Sequence, residues 1–241
     1  MRAIAAAALA ALTAGCGPAA GPQDAAAPRP TRVVERIGHS AHGRPLRVTV
    51  AGVPTARRRL LVVGCIHGTE CAGVAVARRL ARRAPPAGAR LWIVANLNPD
   101  GRAAGSRLNG RGVDLNRNFA SGWRAAGRRG DPEYPGPRPG SEPETRAIRA
   151  LIRRVRPDVT VWFHQPLGLV RAWGRSIPDA RRFAAVARLP FRRLPWLAGT
   201  APNWQNHAFR RGSSFVVELP AGALAPAQVR RLAQAVRALG R

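Results

Sequence analysis

The 241-residue sequence predicts a single α/β domain built on a mixed, mainly parallel twisted sheet flanked by helices. Three observations predict it. The short apolar runs Leu60–Val63, Leu91–Ala95, Val159–Phe163 and Phe215–Val217 have the length and continuity of strands buried on both faces. Between them lie longer stretches of helical periodicity, and such alternation marks a sheet covered by crossover helices. The chain is also long enough for one core of about 200 residues plus a tail, and no internal repeat divides it.

Taken in order, residues 1–16 read as an export signal: Arg2 is followed by the apolar stretch Ile4–Ala14, too short to span a bilayer, and by Thr13-Ala14-Gly15-Cys16. That last motif is similar to a lipoprotein cleavage site, with Cys16 as the lipidated residue. A plain secretory signal cut later is the other reading. Residues 17–32, rich in Ala, Pro and Gly, are expected to be a flexible tether, leaving 33–241 as the folded domain. The expected location is therefore outside the cytoplasmic membrane, lipid-anchored to its outer face or secreted. His39 and His42 fall in an expected hairpin turn and are read as solvent-exposed.

Helices are expected over Glu70–Ala84, Glu142–Val155, Pro178–Ala187 and Pro226–Leu239. Ser141 and Glu144 have the spacing of a capping box for the second. Pro226 suits the first turn of the last helix, whose fixed φ it supplies, and Gly240 suits its end. Asn96-Leu97-Asn98-Pro99-Asp100-Gly101 is a turn signal after the Leu91–Ala95 run.

A net charge of +28 invites a nucleic-acid reading, but every basic side chain is Arg, with no Lys anywhere, as codon bias in a GC-rich genome produces. The arginines also fall on the outer faces of expected helices without the aromatic interleaving of single-strand binders, so no specific nucleic-acid partner is expected. The summed field still favours anionic ligands.

Acids and histidines are scarce, 12 and 5, and several stand where apolar runs end. His67 and Glu70 follow Leu60–Val63 within Gly64-Cys65-Ile66-His67-Gly68-Thr69-Glu70, where Gly68 permits a tight turn and both side chains could meet one ion. Val159–Phe163 ends at His164, and Phe215–Val217 ends at Glu218. Loops at strand ends form the ligand crevice of α/β sheets, so these residues are expected to converge. In Asp114-Leu115-Asn116-Arg117, adjacent Asn and Arg make a fork able to hold a carboxylate. Cys65 and Cys71 flank the ligand pair and are open to three readings: a disulfide bracing the loop, two buried thiols, or ligands of a closed zinc site. Asn203-Trp204-Gln205-Asn206-His207 either lines a pocket with polar groups or is a surface turn with Trp204 on the core.

In this order the motifs resemble the zinc metallocarboxypeptidase family, from about Gly64 to Pro220. The likeness is strongest to short bacterial members related to murein-peptide amidase, through Tyr134-Pro135-Gly136-Pro137, Ser141-Glu142-Pro143-Glu144-Thr145-Arg146, His164-Gln165-Pro166 and Glu218-Leu219-Pro220. The resemblance implies that His67, Glu70 and His164 bind Zn2+, leaving an open place as catalytic zinc sites do. It implies Glu218 as general base, Asp114 as the carboxylate orienting a ligand histidine, Arg107 as the oxyanion-stabilising arginine, and Asn116 with Arg117 as the grip on a substrate carboxylate. The implied partner is a peptide with a free C-terminal carboxylate, and the implied reaction is hydrolysis of the amide beside it. Two departures stand out: the only Tyr is Tyr134, well before the position of the family's substrate-covering Tyr, and the stretch from His164 to Glu218 is short. Two other functions remain open, an aspartoacylase-like hydrolase of N-acyl amino acids and a non-enzymatic basic lipoprotein that binds anionic wall polymers. Oligomeric state is not legible.

Overall fold

The computed structural model describes residues 30–241. Cys16, the expected signal at 1–16 and most of the expected tether lie outside the described residues. An eight-stranded sheet carries the fold, in the order β1-β2-β4-β3-β5-β8-β6-β7. The strands are β1 (Thr31–His39), β2 (Pro45–Gly52), β3 (Arg58–Val63), β4 (Ala89–Val94), β5 (Val159–His164), β6 (Leu167–Ala172), β7 (Phe191–Arg193) and β8 (Ser213–Pro220). The four expected apolar runs are its centre, β4-β3-β5-β8, all parallel. Antiparallel pairing appears where β2 meets β4 and β1 and where β6 meets β8, which makes the sheet mixed as expected.

The helices are α1 (Gly73–Arg82), α2 (Pro99–Ala103), α3 (Pro143–Val155), α4 (Ile177–Ala187), α5 (Ala201–Ala208) and α6 (Pro226–Ala238). Leu60, Val62, Val161, Phe163, Phe215 and Val217 lie in an apolar core shared with α1, α4 and α6. Their sequence neighbours Leu61, Val63, Trp162 and Val216 lie in a second core with α3 and α5. Period-two alternation thus sends each central strand to both faces, which is why these runs are apolar throughout.

Several boundaries differ from expectation. β1 begins at Thr31, so the last two residues of the expected tether are strand. α1 begins three residues after Glu70, because Glu70 N–H bonds the His67 carbonyl in a turn and Cys71 is disulfide-bonded to Cys65. The bracing disulfide is therefore the reading that the structure adopts for this cysteine pair. The expected capping box is absent: Glu142 is the N-cap of α3 without a side-chain cap bond. Ser141 Oγ instead donates to Glu142 Oε1, and Glu144 accepts from Ala41 N–H and Asn109 Nδ2. These buried acids brace loops rather than cap a helix. The turn signal at Asn98 opens the short α2, where Asn98 Oδ1 accepts Gly101 N–H. α5 is a helix and not the surface turn that is one of two readings of Asn203–His207, but Trp204 packs on the core as that reading has it, its indole buried against Phe119 and Phe209. His39 and His42 are exposed at the hairpin, as read from the sequence.

Candidate metal centre and cleft

The parallel register aligns His164 on β5 with Glu218 on β8, and the loop following β3 supplies His67 and Glu70 beside them. Gly68 matters here for space rather than for its φ: a Cβ would collide with the backbone of Gly101 and Ser106, against which the ligand loop is packed. Gln165 ties the surroundings together, accepting Ala72 N–H at 2.9 Å and donating to the Pro220 and Gly222 carbonyls at 2.8 and 2.9 Å. One side chain thus links the start of α1 to the end of β8. Its place in His164-Gln165-Pro166, directly after a strand-end histidine, was the sequence signal for this role.

His67, Glu70 and His164 each present a ligand atom, all within 4.8 Å of one another. Glu70 Oε2 lies 2.9 Å from His67 Nδ1 and 3.0 Å from His164 Nδ1. The far nitrogen of His67 meets Asp114 Oδ1 at 2.9 Å, and this bond fixes the imidazole so that Nδ1 faces the centre. Burial lowers the His164 pKa to about 4, which keeps its imidazole neutral, as a metal ligand must be. For His67 burial also disfavours the proton, but Asp114 and Glu70 outweigh it and raise the pKa, so an ion competes with a proton there. Burial works against the Glu70 charge, yet hydrogen bonds from His164 and His67 hold this carboxyl well below the usual range. Two imidazoles and one ionised carboxylate facing a common point fit a zinc ion with an open position.

Asp114 is fully buried and held ionised, against the cost of burial, by His67, Arg107 and Arg117. Its Oδ1 also accepts Asn116 N–H, and its own N–H reaches the Tyr134 carbonyl. Asn116 is nearly buried, with Oδ1 accepting Ala201 N–H and Nδ2 at 3.5 Å from His164 Nε2. Arg117 donates to the Asn116 carbonyl and to Glu133 Oε1. Arg107 bridges Glu70 Oε1 and Asp114 Oδ2, at 2.5 and 3.0 Å.

His67, Glu70, His164, Arg107, Asn116 and Arg117 line one cleft with Glu218, Arg171, Trp196 and Leu197. No tyrosine and none of Asn203–His207 is among the lining residues described, so the pocket-lining reading of that segment is corrected. Gln205 and Asn206 turn inward, to Thr160 and to the backbone of Ser214. Glu218 is only 9% exposed; burial, then the charge of Glu70, pushes its carboxyl up to about 7. A carboxylate poised there can exchange protons near neutrality. Arg171 is a cleft residue that sequence reasoning missed, and Gln165 is one that it quoted in a motif without assigning a role. An arginine inside the apolar strand Leu167–Ala172 was the available signal for the first.

Comparison with known proteins places this geometry. The sequence model of zinc carboxypeptidases matches residues 23–208. Murein peptide amidase A of Escherichia coli K12 is 37% identical over 147 residues, covering 56% of this chain and 60% of that protein. The chain thus spans about 60% of the length of that curated relative. Carboxypeptidase A6 of Mus musculus is 30% identical over 161 residues, 53% of this chain and 37% of the relative. Among solved structures, murein-tripeptide amidase from Escherichia coli O157 aligns with a TM-score of 0.70 at 28% identity, over 86% of this chain and 92% of that one. Carboxypeptidase A from Helicoverpa armigera aligns with a TM-score of 0.72 at 16% identity, over 87% and 68%, which bears on the fold alone. With most of its length matched and its histidines and acids converging as described, the chain belongs to the zinc carboxypeptidase family.

Proposed function

We propose that this protein is a zinc-dependent peptidase that hydrolyses an amide adjacent to a free carboxylate, acting on cell-wall peptides or other short peptides. The observation that carries the reading is Glu218, a buried carboxyl pushed up to about 7, in one cleft with the His67–Glu70–His164 cluster and Arg117. The kinship with murein peptide amidase A supports wall peptides as the substrate class.

Zinc held by His67, Glu70 and His164 would supply a Lewis acid that makes water more acidic and polarises a carbonyl. The chain's own residues do the rest. Asp114 keeps the Nε2 side of His67 engaged, so the Nδ1 lone pair stays directed inward. Arg117 takes the terminal carboxylate through its fork of donors, which orients the amide beside it. Glu218 accepts the proton of the attacking water and delivers it to the nitrogen of the leaving amine, so that the C–N bond breaks as the amine becomes neutral. Arg107 lines the same cleft, and releasing Glu70 Oε1 frees its Nη1 to meet negative charge developing on the carbonyl oxygen.

Export and lipid attachment at Cys16 complete the proposal, supported by the amino-terminal sequence, and would place the enzyme beside the wall. The test is a panel of peptides, muropeptides with diaminopimelate and N-acyl amino acids, with products identified by mass with and without chelator. Chelator-sensitive release of a C-terminal residue is the expected result. Exclusive cleavage of N-acyl amino acids would move the chain to the aspartoacylase-like reading, and salt-sensitive wall binding with no hydrolysis would make it a binding protein.

A further inference from the structure

β6 and β8 run antiparallel with Leu169 opposite Glu218 and Arg171 opposite Val216. Opposed residues of such a pair project to the same face, and residues two apart on a strand share a face. Val216 belongs to the core under α3 and α5, whereas Val170 and Val217 belong to the opposite core. Arg171 therefore points to the cleft face, one residue pair deeper than Glu218, a step of roughly 7 Å along the strands.

Three arginines line the cleft, and two of them have carboxylate partners: Arg107 has Glu70 and Asp114, and Arg117 has Glu133. Arg171 has none among the described residues. Its one hydrogen bond runs from Nη2 to the Pro195 carbonyl at 3.1 Å, and its buried Nε has no partner. Burial lowers its pKa, Glu218 favours its charge, and Arg117 opposes it. A guanidinium offers five donors in a planar fork matched to a carboxylate, and leaving most of them without a protein partner in a half-buried place is unfavourable.

We propose that Arg171 determines specificity by taking a second carboxylate, carried on the side chain of the substrate's C-terminal residue. The proposal rests on the amide-hydrolase reading, in which Arg117 holds the first carboxylate. Arg171 stands deeper in the same cleft and near enough to Arg117 for the two charges to oppose each other, so a dicarboxylic residue satisfies both and separates them with negative charge. The favoured class is thus a peptide ending in an acidic amino acid, whereas a C-terminal Lys or Arg side chain meets a like charge.

The test compares kcat/KM for peptides ending in Glu and in its longer homologue 2-aminoadipate with their side-chain amides, alongside a C-terminal Leu peptide. In at least one pair the acid is expected to be preferred at least about tenfold, the size of one charge-assisted hydrogen bond, and mainly through KM. Arg171→Gln should bring that preference to within about twofold, and Arg171→Lys, which keeps the charge, should retain part of it. Thermal unfolding of both variants identifies a folding defect. Equal cleavage of acid and amide by the unaltered chain, or a preference that survives Arg171→Gln, overturns the proposal. If no peptide is cleaved, Leu included, the hydrolase reading fails instead. Calorimetric binding of free glutamate, 2-aminoadipate and glutamine to the zinc-loaded chain then decides the role of Arg171: tighter acid binding lost in Arg171→Gln sustains it, and equal binding overturns it.

Discussion

The two faces of the sheet are built differently from the same strands. Toward α1, α4 and α6 the core is apolar throughout, with Phe183 set edge-on against Phe163 and Phe215. Toward α3 and α5, apolar residues alternate with buried polar ones that bond to each other: Thr160 to Gln205, Ser214 to Asn206 and to the Trp162 indole, and Asn116 to the start of α5. His164 and Glu218 belong to this second series, two residues beyond Trp162 and Val216. A single-residue slip of β5 would turn His164, and one of β8 Glu218, into the apolar core, so the packing of one face fixes the register that delivers the chemistry of the other.

That division can be broken or sharpened by substitution. The largest effect is expected from His164→Ala, which removes one of three ligands: metal analysis should find zinc lost and turnover abolished, and unchanged stoichiometry would refute the ligand role. Glu218→Gln should keep zinc while kcat falls about 10²–10⁴-fold, the range of general acid–base catalysis. The same variant carries a stability signature in the metal-free chain. The Glu218 pKa in the folded state, about 7, lies above its ordinary 4.5. Ionisation therefore disfavours the fold, and stability is lost as pH rises from 4.5 through 7. Removing that charge should stabilise the metal-free chain by about 3 kcal/mol at pH 8, from about 2.5 pKa units at about 1.36 kcal/mol each, and by nothing at pH 4, as urea unfolding at the two values would show. On the opposite face, Phe183→Ala should cost about 3–5 kcal/mol of stability and leave kcat of the folded enzyme within about twofold; a larger drop in kcat would mean the faces are not separable. Asn206→Leu, which leaves Ser214 N–H and carbonyl without their partners, should cost about 1–3 kcal/mol, visible as a lowered urea midpoint.

What could be read in advance follows the same division. The central strands announced themselves because burial on both faces leaves an unbroken apolar run, and the polar residue that ends such a run is conspicuous, as His164 and Glu218 were. At the edges only the hairpin turn at His39 and His42 was legible, not the strands themselves. β1 exposes Val33 and Val34 and carries charged residues, and β6 and β7 are short and interrupted by Gly168 or by paired arginines. α5 escaped for another reason: Asn203, Gln205 and Asn206 are buried because specific partners await them, and a hydrophobic periodicity cannot show that. Pro202, in the first turn after Thr200, was the local sign of a helix start. The Ser141–Glu144 spacing misled because tertiary partners, Ala41, Asn109 and Asn118, claimed groups that an isolated helix would have used for its cap.

The contact between Arg117 and Glu133 has a consequence for how tightly any substrate is held. Glu133 is 68% exposed, and its carboxylate already sits on the guanidinium assigned to the substrate's terminus. Under the proposed function, arrival of a peptide would exchange one carboxylate for another, and the departing one would return to water at little cost. The gain at that arginine is then the new ion pair less only the weak, exposed one it replaces. Glu133 thus keeps the guanidinium paired between ligands without competing strongly for it, and it closes on Arg117 again when a product leaves.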